Sequence, residues 1–186
     1  MARRLRRLAF LLVPVLLAGL AALVATSRSH LTDRRDAVDR EWEPLRAPLS
    51  TRYEHLSEAT AAAVESGGER EILTELTDTL ERWQRLQRSE DRRPGTEVVV
   101  ANELEGLARR LRATTDASPR LSADEALLAS LTAFETAAPP EDLVEAYNDA
   151  VLGYEESRTS LPRRWVAGLL GFGSRPALVP PSPAPS

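Results

Sequence analysis

Two hydrophobic patterns divide the chain. Residues Leu8 to Ala25 read LAFLLVPVLLAGLAALVA, 18 positions without a charge. At ~1.5 Å per residue this run makes a helix of roughly 27 Å, close to the thickness of a hydrocarbon core. From Leu31 onward apolar residues recur at spacings of three and four, the mark of helices that each bury one narrow stripe. The stripes are Val38, Trp42, Leu45, Leu49, Leu56, Ala59 and Ala63, with Arg52 interrupting the register; Leu73, Leu76, Leu80 and Trp83; Val100, Leu104, Leu107 and Leu111; Leu127, Leu131, Phe134 and Ala138; then Leu143, Tyr147, Ala150, Tyr154 and Leu161. Period-two alternation is absent. One-stripe helices bury their stripes only against each other, so the expected fold is all-α: an antiparallel bundle of about four helices behind a single transmembrane helix.

Local chemistry punctuates the stripes. Thr51-x-x-Glu54, Ser66-x-x-Glu69 and Ser122-x-x-Glu125 each have the form of a capping box and mark expected helix starts. Pro44 and Pro48 should bend or end the first run before Thr51, and Gly67-Gly68 should break the helix near Ser66. Asp91 to Gly95, Ser118-Pro119 and Pro139-Pro140 read as turns, the last placing Pro140 near the first position of the final helix. Past Gly173, SRPALVPPSPAPS reads as an extended, disordered tail. The expected organisation is a basic N-terminus over 1–7, a membrane anchor over 8–25, a helical body over 30–172 and a tail over 173–186.

A cleaved secretory signal competes with the anchor. Its apolar region usually spans ~7 to 15 residues before a small-x-small site. Here the run is longer, and Gly19-Leu20-Ala21 and Leu23-Val24-Ala25 are indifferent cleavage sites, so an uncleaved anchor is the expectation. Arg3, Arg4, Arg6 and Arg7 crowd the N-terminal flank while only Arg28 closely follows the span, which predicts a cytoplasmic N-terminus and an extracytoplasmic body. Pro14 lies mid-span, where membrane helices tolerate it.

Charge narrows the partners. Setting the four N-terminal arginines aside leaves 20 basic against 28 acidic residues, a net charge of −8 on the rest. An acidic body is poorly suited to phosphate backbones, so nucleic acid is not an expected partner. Every basic residue is arginine, and cysteine is absent, which removes disulfides, thiolate metal sites and thiol nucleophiles.

The C-terminal third carries a family resemblance. Tyr147-Asn148-x-Ala150-Val151-x-x-Tyr154, Leu161-Pro162, Val166-Ala167-Gly168-Leu169-Leu170-Gly171-Phe172 and Arg175-Pro176 resemble the signature of LemA proteins. Upstream, Ser118-Pro119-x-Leu121 with Ala123-Asp124-Glu125, and Val38-x-x-x-Trp42 with Arg52-Tyr53-Glu54, are similar to further family motifs. The chain would be a divergent member: the family's doubled arginine reads Thr51-Arg52, and Ala177-Leu178 follows Arg175-Pro176 where the family has an aromatic pair. The resemblance implies a membrane-anchored bundle of long antiparallel helices, without established enzymology, in the bacterial cell envelope. It nominates Tyr147, Asn148, Tyr154, Trp165 and Phe172 as interaction residues.

Catalytic patterns are missing from the sequence. It has no G-x-S-x-G elbow, phosphate loop, dinucleotide loop or H-E-x-x-H pair. His55 and Glu58 form an H-x-x-E pair, but a carboxylate-bridged metal bundle needs that unit twice, and the only other histidine is His30. Acid–arginine spacings such as Glu81/Arg85 and Asp78/Arg82 fit solvated helix faces. Neither cofactor, metal nor small-molecule substrate is expected. The leading expectation is a non-enzymatic membrane-anchored scaffold or adaptor that binds membrane lipid through its first helix and another envelope protein through its bundle. The alternatives are an envelope hydrolase using a carboxylate pair and a self-associating membrane-surface organiser.

One segment has two open fates. Arg163 to Phe172 is too apolar for water and too short to span a bilayer. Docking on the bundle, with Trp165, Leu169 and Phe172 covering a seam, is the expectation; resting on an anionic membrane surface is the alternative.

Overall fold

The computed structural model describes residues 2–90, 93–161 and 163–180, and for residues 2–17 and 20 the backbone alone. Helices α1 (Ala2–Trp42), α2 (Arg46–Glu65), α3 (Arg70–Arg88), α4 (Pro94–Ala117), α5 (Glu125–Thr136), α6 (Glu141–Thr159) and α7 (Arg163–Leu170) carry the fold. No strand occurs among the described residues.

Pro44 has no N–H to continue α1, which gives way to a single 3-10 turn at Glu43–Leu45. Trp42, Leu45 and Arg46 all keep right-handed helical dihedrals, so α1 and α2 run on as one rod. Pro48 falls in the first turn of α2, where no donor is required. The break therefore lies at 43–45, and Thr51 sits inside α2 rather than capping a helix.

Two other expected caps also move. Ser66 closes α2 instead of opening α3. Gly67, at φ +74°, allows its own N–H to reach the Val64 carbonyl at 3.1 Å and that of Gly68 to reach Ala63 at 2.8 Å, which is a Schellman ending. At α5 the cap is Asp124, whose Oδ1 accepts from the Leu127 N–H at 2.9 Å, two residues after the expected Ser122. Pro94 and Gly95, expected in a turn, open α4, because proline suits the first helical position. Pro140 is the N-cap residue of α6.

Partner pairs fix the directions. Arg82 meets Glu103 at 2.9 Å and Arg110 meets Glu75 at 2.7 Å, so α3 and α4 are antiparallel. Tyr53 packs edge-on against Trp83, and Ser66 donates to Asp124 while Arg52 reaches Phe134, which sets α2 antiparallel to both α3 and α5. Trp42 packs at a tilt against Tyr147 with centroids 5.2 Å apart, and the Arg34 guanidinium lies beside Gly153, so α6 runs back along α1. The result is an up-down-up-down bundle of four arms: the α1–α2 rod, α3, α4 and α5–α6. Its core runs from Val38 to Tyr154, with Trp42, Leu49, Leu76, Leu104, Leu127 and Tyr147 almost fully enclosed.

Two expectations about the C-terminal end need correction. The tail from Gly173 is extended but not disordered over its described part: Leu178 is 2% exposed and belongs to the core, so the folded body continues past 172. Segment 163–172 docks, but through a different face from the one expected. Val166 and Ala167 are buried against the bundle while Trp165 and Leu169 point outward; only Phe172 of the expected trio packs on the core. Residues 181–186 lie outside the described set. Among the described residues no helix is long and apolar enough to cross a membrane, and most of the 8–25 run has no described side chains.

Candidate functional site: a strap held across one side of the bundle

Three residues of the family-like motif in α6 converge on one object, the extended chain from Gly173 to Val179. The Tyr154 hydroxyl donates to the Gly173 carbonyl at 2.8 Å, and the Tyr147 hydroxyl donates to the Pro176 carbonyl at 2.9 Å. Asn148 takes both main-chain groups of one residue, on one edge of the strap: its Nδ2 donates to the Leu178 carbonyl at 3.0 Å, and its Oδ1 accepts the Leu178 N–H at 2.9 Å. Burial pushes both tyrosine hydroxyls above their ordinary range, with Arg175 opposing the rise, so both keep their protons at neutral pH and remain donors.

The other edge of the strap belongs to α4. Asn102 Nδ2 donates to the Ala177 carbonyl at 2.8 Å, and its Oδ1 accepts from the Val179 N–H at 2.8 Å. Arg175 pins the strap to α1 through Asp39, at 3.0 and 3.3 Å, while its backbone N–H donates to Glu155 Oε1 at 2.9 Å. Burial raises the Asp39 carboxyl above its ordinary range even though Arg175 pulls it down. Glu155 behaves oppositely: burial is outweighed by the Arg158 side chain and the Arg175 N–H, which hold it below the ordinary range. Gly95 lets Arg175 through, since a Cβ there would stand 2.5 Å from its guanidinium nitrogen. The strap thus closes the side of the bundle between α4 and α6, in the way a strand closes a sheet.

Further along the same side, between α4 and α5, lies a groove of about 270 Å³ lined by Arg52, Glu105, Arg109, Arg112, Phe134 and Glu135 among others. Its charges neutralise one another. Arg52 is 1% exposed, bonds Glu105 at 2.7 and 3.0 Å, donates to the Phe134 carbonyl and lies 3.7 Å from the centre of the Phe134 ring. Arg112 meets Asp116 at 3.3 Å and Glu135 at 3.5 Å. Near the α1–α2 junction, Glu97 accepts from the Trp42 indole and from Arg46 at 3.0 Å, leaving its buried Oε1 without a partner.

The remaining nominated residues scatter. Trp165 is exposed on α7, and Phe172 is half-buried at its end. His55 and Glu58 touch each other at 3.2 Å on an outer face, and among the described residues no three metal-ligating side chains gather. Arg82 pairs with Glu103 across helices, not with Asp78.

Sequence reasoning missed Asn102, Asp39, Glu155, Gly95 and Leu178, because their roles depend on where the tail returns. It flagged Arg52 only as a fault in an apolar stripe. The available signal was Glu97 and Glu105, eight apart and therefore on one face of α4, matching a basic interruption on a neighbouring helix. No family model, curated protein or solved structure matches this chain.

Proposed function

We propose that the protein is a non-enzymatic, membrane-tethered helical scaffold of the bacterial cell envelope, a divergent relative of LemA proteins. The observation that carries the reading is the fate of the motif residues: Tyr147, Asn148 and Tyr154 spend their polar atoms on the chain's own strap. Side chains committed in this way build a fold and are poor candidates for reacting with a substrate. Of the buried acids, Glu105 is held by Arg52 through both oxygens, and Glu97 is held by Trp42 and Arg46 through Oε2 alone.

The tether is supported by the uncharged run Leu8–Ala25 and by the continuity of α1, one helix from Ala2 to Trp42 that leads directly into the bundle. A helical anchor without a flexible linker holds the body at a fixed height and orientation over the bilayer, which suits a scaffold. Basic residues before the run favour a cytoplasmic N-terminus and an extracytoplasmic bundle.

Two measurements test this reading. The full-length chain stays with membranes after a carbonate wash, and in-cell crosslinking from the bundle faces yields a defined protein partner on the extracytoplasmic side. Release of a shortened chain into the medium overturns the tether, and turnover of a wall or lipid substrate by the purified protein overturns the scaffold.

A further inference from the structure

Large exposed apolar side chains are dispersed over the bundle singly, as at Val64, Val99 and Leu152, until the chain reaches α7. There Trp165 and Leu169, four apart on the helix, are 71% and 82% exposed, and Leu161, just before it, is 73% exposed. Leu170 beside them is also exposed. The opposite face of α7 holds Val166 and Ala167, both buried. Gly171, at φ +71°, ends the helix by letting the Phe172 N–H reach the Ala167 carbonyl at 3.0 Å. The helix is therefore fixed by one face while the other presents tryptophan and leucine outward.

Its place in the fold says what lies opposite. α6 runs antiparallel to α1, with Tyr147 at Trp42 and Gly153 at Arg34, so the C-terminal end of α6 points back toward the apolar run. α7 follows directly and packs on both α1 and α6. Beyond the main core, α1 has Leu31 and Ser27 buried on this stretch, whereas Ala21, Ala22, Leu23 and Ala25 are exposed. Leu31 is only six residues past Ala25, about 9 Å along the helix. Arg163 and Arg164 open α7, and Arg28 lies within α1 between Ala25 and Leu31.

We infer that α7 is a foot that lies in the headgroup layer of an anionic bilayer, inserting Trp165 and Leu169 while Arg163 and Arg164 meet lipid phosphates. This rests on the tether proposed above. The composition is that of an interfacial helix, with an amphipathic aromatic, leucines and flanking arginines. The foot gives the body a second point of contact with the membrane and fixes its rotation about α1.

The test uses the full chain, reconstituted in phosphatidylcholine vesicles with and without phosphatidylglycerol. Trp165 is exposed while Trp42 and Trp83 are buried in the core, so lipids brominated near the headgroup report on Trp165. The expected result is a loss of tryptophan emission with brominated lipid, larger with phosphatidylglycerol and abolished by Trp165→Phe. Leu169→Glu should reduce the loss without changing thermal unfolding. A chain that does not float with vesicles overturns the tether, and the foot with it. A chain that floats while acrylamide quenches Trp165 as fully as in detergent overturns the foot alone. Protection from acrylamide without quenching by brominated lipid also overturns it, in favour of a second copy or another protein on this face.

Discussion

Asn102 and Asn148 hold Leu178 from opposite sides. Asn148 bonds the N–H and C=O of Leu178 itself, and Asn102 bonds the C=O of Ala177 and the N–H of Val179. Between them the main chain of the strap is satisfied on both edges, and the Leu178 side chain descends into the core.

That arrangement makes the strap part of the fold's stability. Leu178→Ala is expected to cost about 2–5 kcal/mol, as other large-to-small changes in a packed core do. Asn148→Ala removes both partners of a backbone pair and should cost about 1–3 kcal/mol. Urea unfolding measures both. A chain ending at Gly173 that unfolds at the same urea concentration as the full chain would show the strap to be dispensable.

Arg52 and Glu105 form a buried pair, and single replacements strand one charge. Arg52→Ala or Glu105→Ala should each destabilise by about 3–5 kcal/mol, whereas Arg52→Met with Glu105→Leu should lose much less than the sum. A double-mutant cycle in thermal or urea unfolding reads the coupling directly, and additive losses would contradict it.

Acid should loosen the strap through Glu155. Its folded carboxyl titrates below the ordinary 4.5, so the stability it contributes is present above that value and is lost as pH falls through 4.5 towards the folded-state pKa. Asp39 has the opposite sign, because burial raises its folded pKa above 3.8 and its contribution fades as pH rises. The protection factor of the Arg175 amide, its exchange rate divided into the intrinsic rate at each pH, should therefore fall on acidification, and Glu155→Gln should flatten that dependence. An unchanged profile in the variant would remove Glu155 from the account.

α7 separates its two faces in a stability assay. Val166→Asp buries an unpaired charge and should lower the melting temperature by several degrees, at roughly 2–4 °C per kcal/mol for a chain of this size. Trp165→Ser and Leu169→Ser, on the outer face, should leave it nearly unchanged in the absence of lipid. Equal losses on both faces would mean that α7 packs differently.

The helical nature of the body was legible in the sequence because it depends on spacing alone. Apolar residues three and four apart fall on one face of any helix, and Trp42 and Trp83 take their places in the seam as that spacing requires. Breaks were legible where the backbone itself is restricted, at Pro44 and at Gly67. Starts were less so: the Ser/Thr-x-x-Glu pattern recurs inside helices by chance, as Thr51 shows, and the choice between Ser122 and Asp124 depends on which side chain meets the first free N–H.

What the sequence determined by itself is therefore local: an uncharged run of bilayer length, a set of one-stripe helices, and the glycines and prolines that separate them. The tertiary structure decided the pairings. Asn102 finds the strap 75 residues later, Arg175 finds Asp39 across 136 residues, and Arg52 finds the Phe134 carbonyl across 82. A single polar side chain carries no periodicity, and its partner is named only when packing brings a distant segment within about 3 Å. For the same reason the two faces of α7 were interchangeable on paper: Val166 and Trp165 are both apolar, and only the fit against α1 and α6 chose which of them to bury.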